Sequence, residues 1–256
     1  MENLVTVQYD QKVATIHLNR PDKMNSMNQP MLEELAFTME EVSKSDAQIV
    51  VLTGEGKAFS AGGDIQMMLD QDEPEKFKDV MAAIEKAVKA FYSMPKITIA
   101  ALNGAAAGLG LSLALAADYV LAQKEAKVAM NFIGIGLIPD GGGHYFMEQR
   151  LGTHLAKQVI WEGKVMQATD AKQLGLVDST TDDLQSAVNQ HVEKLSHSPL
   201  LAMIQTKKIY REENLGKLEA YLAQETSGQI EMRQTEDHQE GIKAFMEKRK
   251  PDFQGK

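Results

Sequence analysis

Residues 97–117 read ITIAALNGAAAGLGLSLALAA, and this stretch decides the fold. Ile97 to Leu102 is a short apolar run closed by Asn103-Gly104, the pattern of a strand buried on both faces. Gly108 to Ala117 carries no polar side chain except Ser112, so a helix there is surrounded by protein. The turn between them, Asn103-Gly104-Ala105-Ala106-Ala107-Gly108-Leu109-Gly110, joins a buried strand to a buried helix. Ala105 to Ala117 spans 13 residues, too short for a bilayer, which needs ~20.

The same grammar recurs on either side. Ile49-Val50-Val51-Leu52 is a second buried strand, followed by the glycine turn Ala58-Phe59-Ser60-Ala61-Gly62-Gly63-Asp64. A third turn runs Gly134-Ile135-Gly136-Leu137-Ile138-Pro139-Asp140-Gly141-Gly142-Gly143. Upstream, Val5, Val7 and Tyr9, then Ala14, Ile16 and Leu18, alternate with polar residues around Asp10-Gln11-Lys12, which predicts a hairpin stopped by Pro21. Met31, Leu32, Leu35, Met39 and Val42 lie at helical spacing, as do Phe77, Val80, Met81, Ile84, Val88 and Phe91 between Pro74 and Pro95. Tyr119 to Ala122 and Lys127 to Asn131 read as short strands. From about Ser179 onward no strand pattern remains; charged amphipathic helices are expected over Leu184–Leu195, Leu200–Arg211, Leu215–Arg233 and His238–Lys250. The fold class is α/β over residues 1–196, followed by a helical region over 197–256, with no low-complexity linker between them.

The chain has 256 residues, 36 acidic against 27 basic, a formal charge of −9 and no cysteine. Without cysteine there are no disulfides, thiolate zinc sites, iron–sulfur clusters or cysteine nucleophiles. The acidic balance argues against nucleic acid or an anionic membrane as partner, but not against a small anion held by local cations. Met1-Glu2-Asn3-Leu4 lacks the basic and apolar regions of a leader, so a soluble, cytoplasmic protein is expected. His191, His197 and His238 have no metal-ligand spacing, and no metal site is expected. His17 is expected on the solvent side of the hairpin. His144 is expected on a helix surface, one turn beyond Asp140 and within reach of it.

Each glycine turn could cradle a ligand, because free N–H groups at a helix start attract negative charge. A phosphate loop of the Gly-Lys-Ser/Thr type is absent, and Gly108-Leu109-Gly110 opens a dinucleotide fingerprint that fails at Leu113. Gly110-Leu111-Ser112-Leu113-Ala114 imitates a serine-hydrolase elbow, with Asp140 and His144 in hydrolase order. The preceding strand ends near Leu102, which puts Ser112 inside a helix, where a hydroxyl bonded to its own helix is expected.

Taken together, the three turns are more specific. With Arg20-Pro21-Asp22-Lys23-Met24-Asn25-Ser26 before them, and Asp170-Ala171-Lys172-Gln173-Leu174-Gly175-Leu176-Val177-Asp178 and the stretch from Glu240 to Pro251 after them, they resemble the crotonase superfamily, the enoyl-CoA hydratase/isomerase family, nearly end to end. The resemblance implies a spiral of repeated ββα units with a C-terminal helical region that trimerises, as homotrimer or homohexamer. It implies an acyl-CoA thioester as substrate, with coenzyme A entering as part of that substrate and no separate cofactor. It assigns the two oxyanion donors to the backbone N–H groups of Gly63 and Leu109. The two glutamates of family hydratases correspond to Ser112 and Phe132, neither of them acidic. Family members with one acidic residue place it where Asp140 stands, as a proton shuttle in enoyl-CoA isomerases. One carboxylate can carry a proton from C2 to C4 while the oxyanion hole holds the dienolate. Phe132 would line the acyl pocket. The coenzyme would meet Lys23 and the backbone from Ala61 to Ile65, with Phe245 and Lys248 supplied by a neighbouring subunit. The solvated helix end is an equal reading of Lys248-Arg249-Lys250. Hydratase activity and a non-catalytic acyl-CoA binder are the remaining alternatives.

Overall fold

Strands β1 (Val5–Asp10) and β2 (Val13–Leu18) form the expected antiparallel hairpin, with Val7 opposite Ile16 and Asp10 opposite Val13. The computed structural model describes residues 3–65 and 74–256; Met1 and Glu2, where the leader reading begins, lie outside them. The chain continues through α1 (Gln29–Lys44), β3 (Ile49–Gly54), β4 (Ala58–Ser60), α2 (Pro74–Tyr92), β5 (Ile97–Leu102), β6 (Ala105–Ala107), α3 (Leu109–Leu115), β7 (Tyr119–Gln123) and β8 (Lys127–Ala129). It ends with α4 (Gly143–Glu162, broken at Gly152), β9 (Met166–Gln167), α5 (Ala168–Leu174), β10 (Ser179–Thr181), α6 (Leu184–Ser196), α7 (Leu200–Met232) and α8 (Glu236–Met246).

The strands divide between two sheets. One has the order β1-β2-β3-β5-β7-β10 and the other β4-β6-β8-β9. From β3 to β8 successive strands alternate between the two sheets, the first of each pair entering the large sheet and the second the small one, whereas β1 and β2 both belong to the large sheet. Both apolar runs noted in the sequence are central strands of the large sheet, paired in parallel with Val51 beside Ile99. Their alternate side chains enter two cores. Val50, Leu52, Ala100 and Leu102 pack toward α1 and α2, whereas Ile49, Val51, Ile97, Ile99 and Ala101 pack against Leu184, Val188 and Leu195 of α6. Burial on both faces explains why these strands show no polar alternation.

The helical tail differs from the expectation in three ways. Ser179–Thr181 is a strand, β10, which completes the large sheet beside β7; its Ser-Thr-Thr sequence has no apolar alternation to betray it. The segments expected as two helices over 200–233 are one 33-residue helix, α7. Glu212, Glu213 and Asn214 in the middle are exposed or half-buried, and the good helix formers among them continue the helix without a break. The last helix stops at Met246 instead of Lys250: Lys248 takes a left-handed φ of 54°, Arg249 N–H bonds back to Ala244 O at 3.0 Å, and its guanidinium pairs with Glu240. The tail is anchored to the sheet by Lys207 Nζ, 2.7 Å from the Asp118 carboxylate, and by Leu218 and Leu222, which belong to the main core.

The motif around Lys23 is a structural clasp. Met24 and Asn25 take φ of 50° and 53°, and the Asn25 side chain is buried. Its Oδ1 accepts Arg20 N–H at 2.8 Å, and its Nδ2 donates to Glu55 O at 2.9 Å and Ala58 O at 2.8 Å. Ser60 Oγ donates to Asn25 O at 2.7 Å, and Arg20 pairs with Asp64 at 3.0 Å. The clasp thus fixes the first glycine turn. Asn25→Ala leaves Arg20 N–H and Glu55 O without their side-chain partner and puts alanine at a left-handed φ, and urea unfolding is expected to show a loss of ~2–3 kcal/mol. A loss near zero would contradict the clasp.

Candidate active site

The three glycine turns converge. Gly63 forms a parallel bridge with Met27: Met27 N–H donates to Gly62 O at 2.8 Å, and Asp64 N–H donates to Met27 O at 3.0 Å. These bonds use the peptides on either side of Gly63 and leave its own N–H pointing away from Met27. Leu109 is the first residue of α3, and the first N–H groups of a helix have no partner within it. The two positions are neighbours. A Cβ on Gly62, where φ is 98°, would lie 3.5 Å from Leu109 N and 2.7 Å from Ala107 O. Glycine is required there, because any side chain would separate the two turns.

The third turn closes from the other side. A Cβ on Gly141, where φ is 63°, would lie 2.4 Å from Leu109 Cδ1 and 3.5 Å from Ile84 Cγ2. Asp140 is the preceding residue. It is 7 % exposed, and its Oδ1 is buried without a hydrogen-bond partner. Burial among apolar side chains raises its carboxyl well above the ordinary carboxylate value, and the charge of Glu225 adds to the rise. A buried carboxyl with an unused oxygen and a raised proton affinity is equipped to exchange a proton with a bound molecule.

The backbone around Asp140 is held by Ser112, in a role other than the one its sequence suggested, and by Glu225 and Gln229, which sequence reasoning passed over. Ser112 is fully buried, and its Oγ donates to Asp140 O at 2.8 Å, across 28 residues, in preference to Gly108 O of its own helix at 3.4 Å. Gly143 N–H also donates to Asp140 O, at 3.0 Å. Gln229 on α7 donates to Ile138 O. Glu225, one helical turn earlier, is 2 % exposed and accepts Gly142 N–H at 2.7 Å, His144 N–H at 3.0 Å and His144 Nδ1–H at 2.8 Å. A signal for this pair existed: Leu218, Leu222, Glu225 and Gln229 fall on one helix face, where two polar residues continue an apolar stripe.

Over residues 8–256 the chain matches the family model described as enoyl-CoA hydratase/isomerase. It belongs to the enoyl-CoA hydratase/isomerase family. The enoyl-CoA hydratase/isomerase family protein YhaR of Bacillus subtilis (strain 168) is 53% identical over 243 residues, covering 94% of this chain and 95% of that protein. The 1,2-epoxyphenylacetyl-CoA isomerase of Escherichia coli (strain K12) is 31% identical over 263 residues, covering 100% of both. An enoyl-CoA hydratase structure from Mycobacterium avium subsp. paratuberculosis K-10 superposes with a TM-score of 0.88 at 29% identity, covering 98% of each chain. The fold is that of the crotonase superfamily, with a helical C-terminal region.

Within this crotonase frame the other expected residues are placed as follows. Phe132 is buried, its ring 3.4 Å from where a Gly108 Cβ would stand, beside the second turn. Lys23 is exposed at the end of a short 3-10 turn, Ala61 N–H is taken by Met24 O at 2.9 Å, and Ile65 is half-buried. Phe245 and Lys248 are exposed at the far end of the chain. His17 does not face solvent freely: its Nδ1 lies 2.7 Å from Glu55, and it is half-buried. His144 is committed to Glu225 and not to Asp140. The burial of Ser112 and the commitment of His144 leave a serine hydrolase without an accessible nucleophile or an adjacent base.

Proposed function

We propose that the protein is an enoyl-CoA isomerase that moves a C=C bond from the 3,4 to the 2,3 position, with Asp140 as the proton shuttle. The observation that carries this reading is the buried, unpartnered Asp140 Oδ1 beside the convergence of the Gly63 and Leu109 turns. The thioester oxygen sits between the two N–H groups, which strengthen as charge develops on it. Asp140 breaks the C2–H bond and takes the proton; the electron pair enters the dienolate, whose charge rests on the thioester oxygen. The proton then goes from Asp140 to C4, and the carboxylate is restored. No co-reactant is consumed and no separate cofactor is called for.

Hydration is the second reading, favoured by relatives that include a hydratase. A two-carboxylate hydration needs a partner to hold water, yet the matching positions carry Ser112, bonded to backbone, and Phe132. Glu225 is already occupied by three donors. Incubation with a 3-enoyl-CoA is expected to yield the conjugated 2-enoyl-CoA, read by its ultraviolet absorbance. Exclusive conversion of 2-enoyl-CoA to 3-hydroxyacyl-CoA would overturn the isomerase reading.

The acyl-CoA pocket would be completed in an assembly, with Lys23 and a neighbour's Phe245 and Lys248 at the coenzyme end. Exposed Trp161 and Val165, on either side of the Gly163 cap of α4, together with Leu201 and Tyr210, support association. Light scattering is expected to give three or six copies of the 28.2 kDa chain; the mass of one chain would contradict the trimer.

A further inference from the structure

We infer that Glu225 is a positioning residue for Asp140: from α7 it fixes the loop that carries Asp140 and presents a negative charge to it, while His144 fixes Glu225. This deepens the isomerase reading and rests on Asp140 as the shuttle. Helix α4 begins without a cap of its own. Its N-cap is Gly142, which has no side chain, and its first turn has no acidic residue. A carboxylate is the natural complement of such a helix start. Here it comes from 83 residues away, with one oxygen on Gly142 N–H and the other on His144 N–H. Because Oε1 is an acceptor, His144 Nδ1 carries the proton in its 2.8 Å contact. Gln229 holds Ile138 O on the other side of Asp140, and Gly228 leaves room for Ile138: a Cβ there would lie 2.5 Å from Ile138 Cδ1. The Asp140 loop is therefore gripped by α7 before and after the carboxyl group.

The placement has a chemical consequence. Among the described residues, the titratable side chains bonded to the turn that carries Asp140 are Glu225 on α7, His144 on α4, through Glu225, and buried His238 on α8, whose Nδ1 lies 2.8 Å from Ile135 O; α3 presents Ser112 and α2 presents Ile84. Two buried carboxylates repel, so Glu225 favours the protonated form of Asp140. When Asp140 takes the C2 proton, negative charge moves to the thioester oxygen, away from Glu225 and toward the Gly63 and Leu109 donors. Glu225 thereby raises the ionised ground state relative to the dienolate, which makes Asp140 a stronger base.

Glu225→Gln keeps the shape and removes the charge. With aspartate labelled at the side-chain carboxyl, NMR titration of the whole protein reads Asp140 directly, its signal identified by its loss in Asp140→Asn. The Asp140 midpoint is expected to move to lower pH in Glu225→Gln, and the acid limb of kcat/KM with it. The value of kcat is expected to fall about tenfold with KM little changed, because a weaker base transfers the proton less readily. Glu225→Asp, which retains the charge, is expected to restore the midpoint toward the parent value. His144→Asn, which removes the donor that fixes Glu225, lowers the midpoint by less and serves if Glu225→Gln does not fold. A midpoint unmoved in whichever variants fold, or a loss of activity equal at every pH, overturns the role of Glu225. A midpoint that moves while Asp140→Asn keeps full turnover leaves the coupling standing and overturns the isomerase reading instead.

Discussion

Asp140→Asn is expected to reduce kcat/KM for 3-enoyl-CoA isomerisation by ~10³-fold or more, in line with the 10²–10⁴-fold that a positioned general acid/base supplies. The variant is also expected to be the more stable protein at neutral pH. The folded-state value of Asp140 lies above its unfolded value, because burial and Glu225 both disfavour its charge. Between those two values the native state binds more protons than the unfolded state, so stability falls as pH rises through the window. Asparagine carries no such charge. Thermal melts are expected to show Asp140→Asn above the parent at pH 8, with the difference closing toward pH 4, near the unfolded value. A variant that loses both activity and stability at pH 8 would point to a structural aspartate instead of a strained catalytic one.

Leu109→Pro is expected to lower kcat by ~10²–10³-fold, equivalent to ~2.7–4 kcal/mol for one lost oxyanion donor. The substitution suits the position. Leu109 is the first residue of α3, where proline is tolerated because its missing N–H has no helical partner. Gly108 before it has φ 52° and ψ −125°, an extended mirror-image conformation open to glycine and not the α region that a following proline disfavours. The leucine side chain is buried against Gly141, so Leu109→Ala is the control that removes the side chain and keeps the N–H. Steady-state kinetics on 3-enoyl-CoA are expected to show Leu109→Ala within about tenfold of the parent, since only packing is lost. Equal losses in both variants would mean that the leucine side chain, and not its amide, matters at this position.

Most of the fold was legible because it is written in local patterns. The hairpin alternation of Val5 to Leu18, the apolar runs at Ile49 and Ile97, and the helical stripes of α1 and α2 each concern residues a few positions apart, and each became the expected element. The three glycine turns were legible for the same reason: they need small residues at places where backbone meets backbone. The tail was read less well. The Ser-Thr-Thr sequence of β10 becomes a strand because β7 offers it an open edge, and α7 runs through Glu212-Glu213-Asn214 because packing at Leu218 and Leu222 carries the helix on.

By itself, the sequence determined the order of most elements and the positions of the close turns, which follow from side-chain size, polarity and period along the chain. The choice of Asp140 came from the resemblance to the crotonase superfamily. Only the tertiary structure decided what surrounds that acid. Ser112 became a tether for Asp140 O, Glu225 a distant cap for the helix after it, and His144 a partner of Glu225. These are single hydrogen bonds across 28, 83 and 81 residues, and the proton affinity of Asp140 is raised first by the depth of its burial and then by the charge of Glu225 that they hold beside it. No local pattern encodes such distances: they exist only once the spiral brings α7 over the start of α4, where removal from water makes one charge felt by the next.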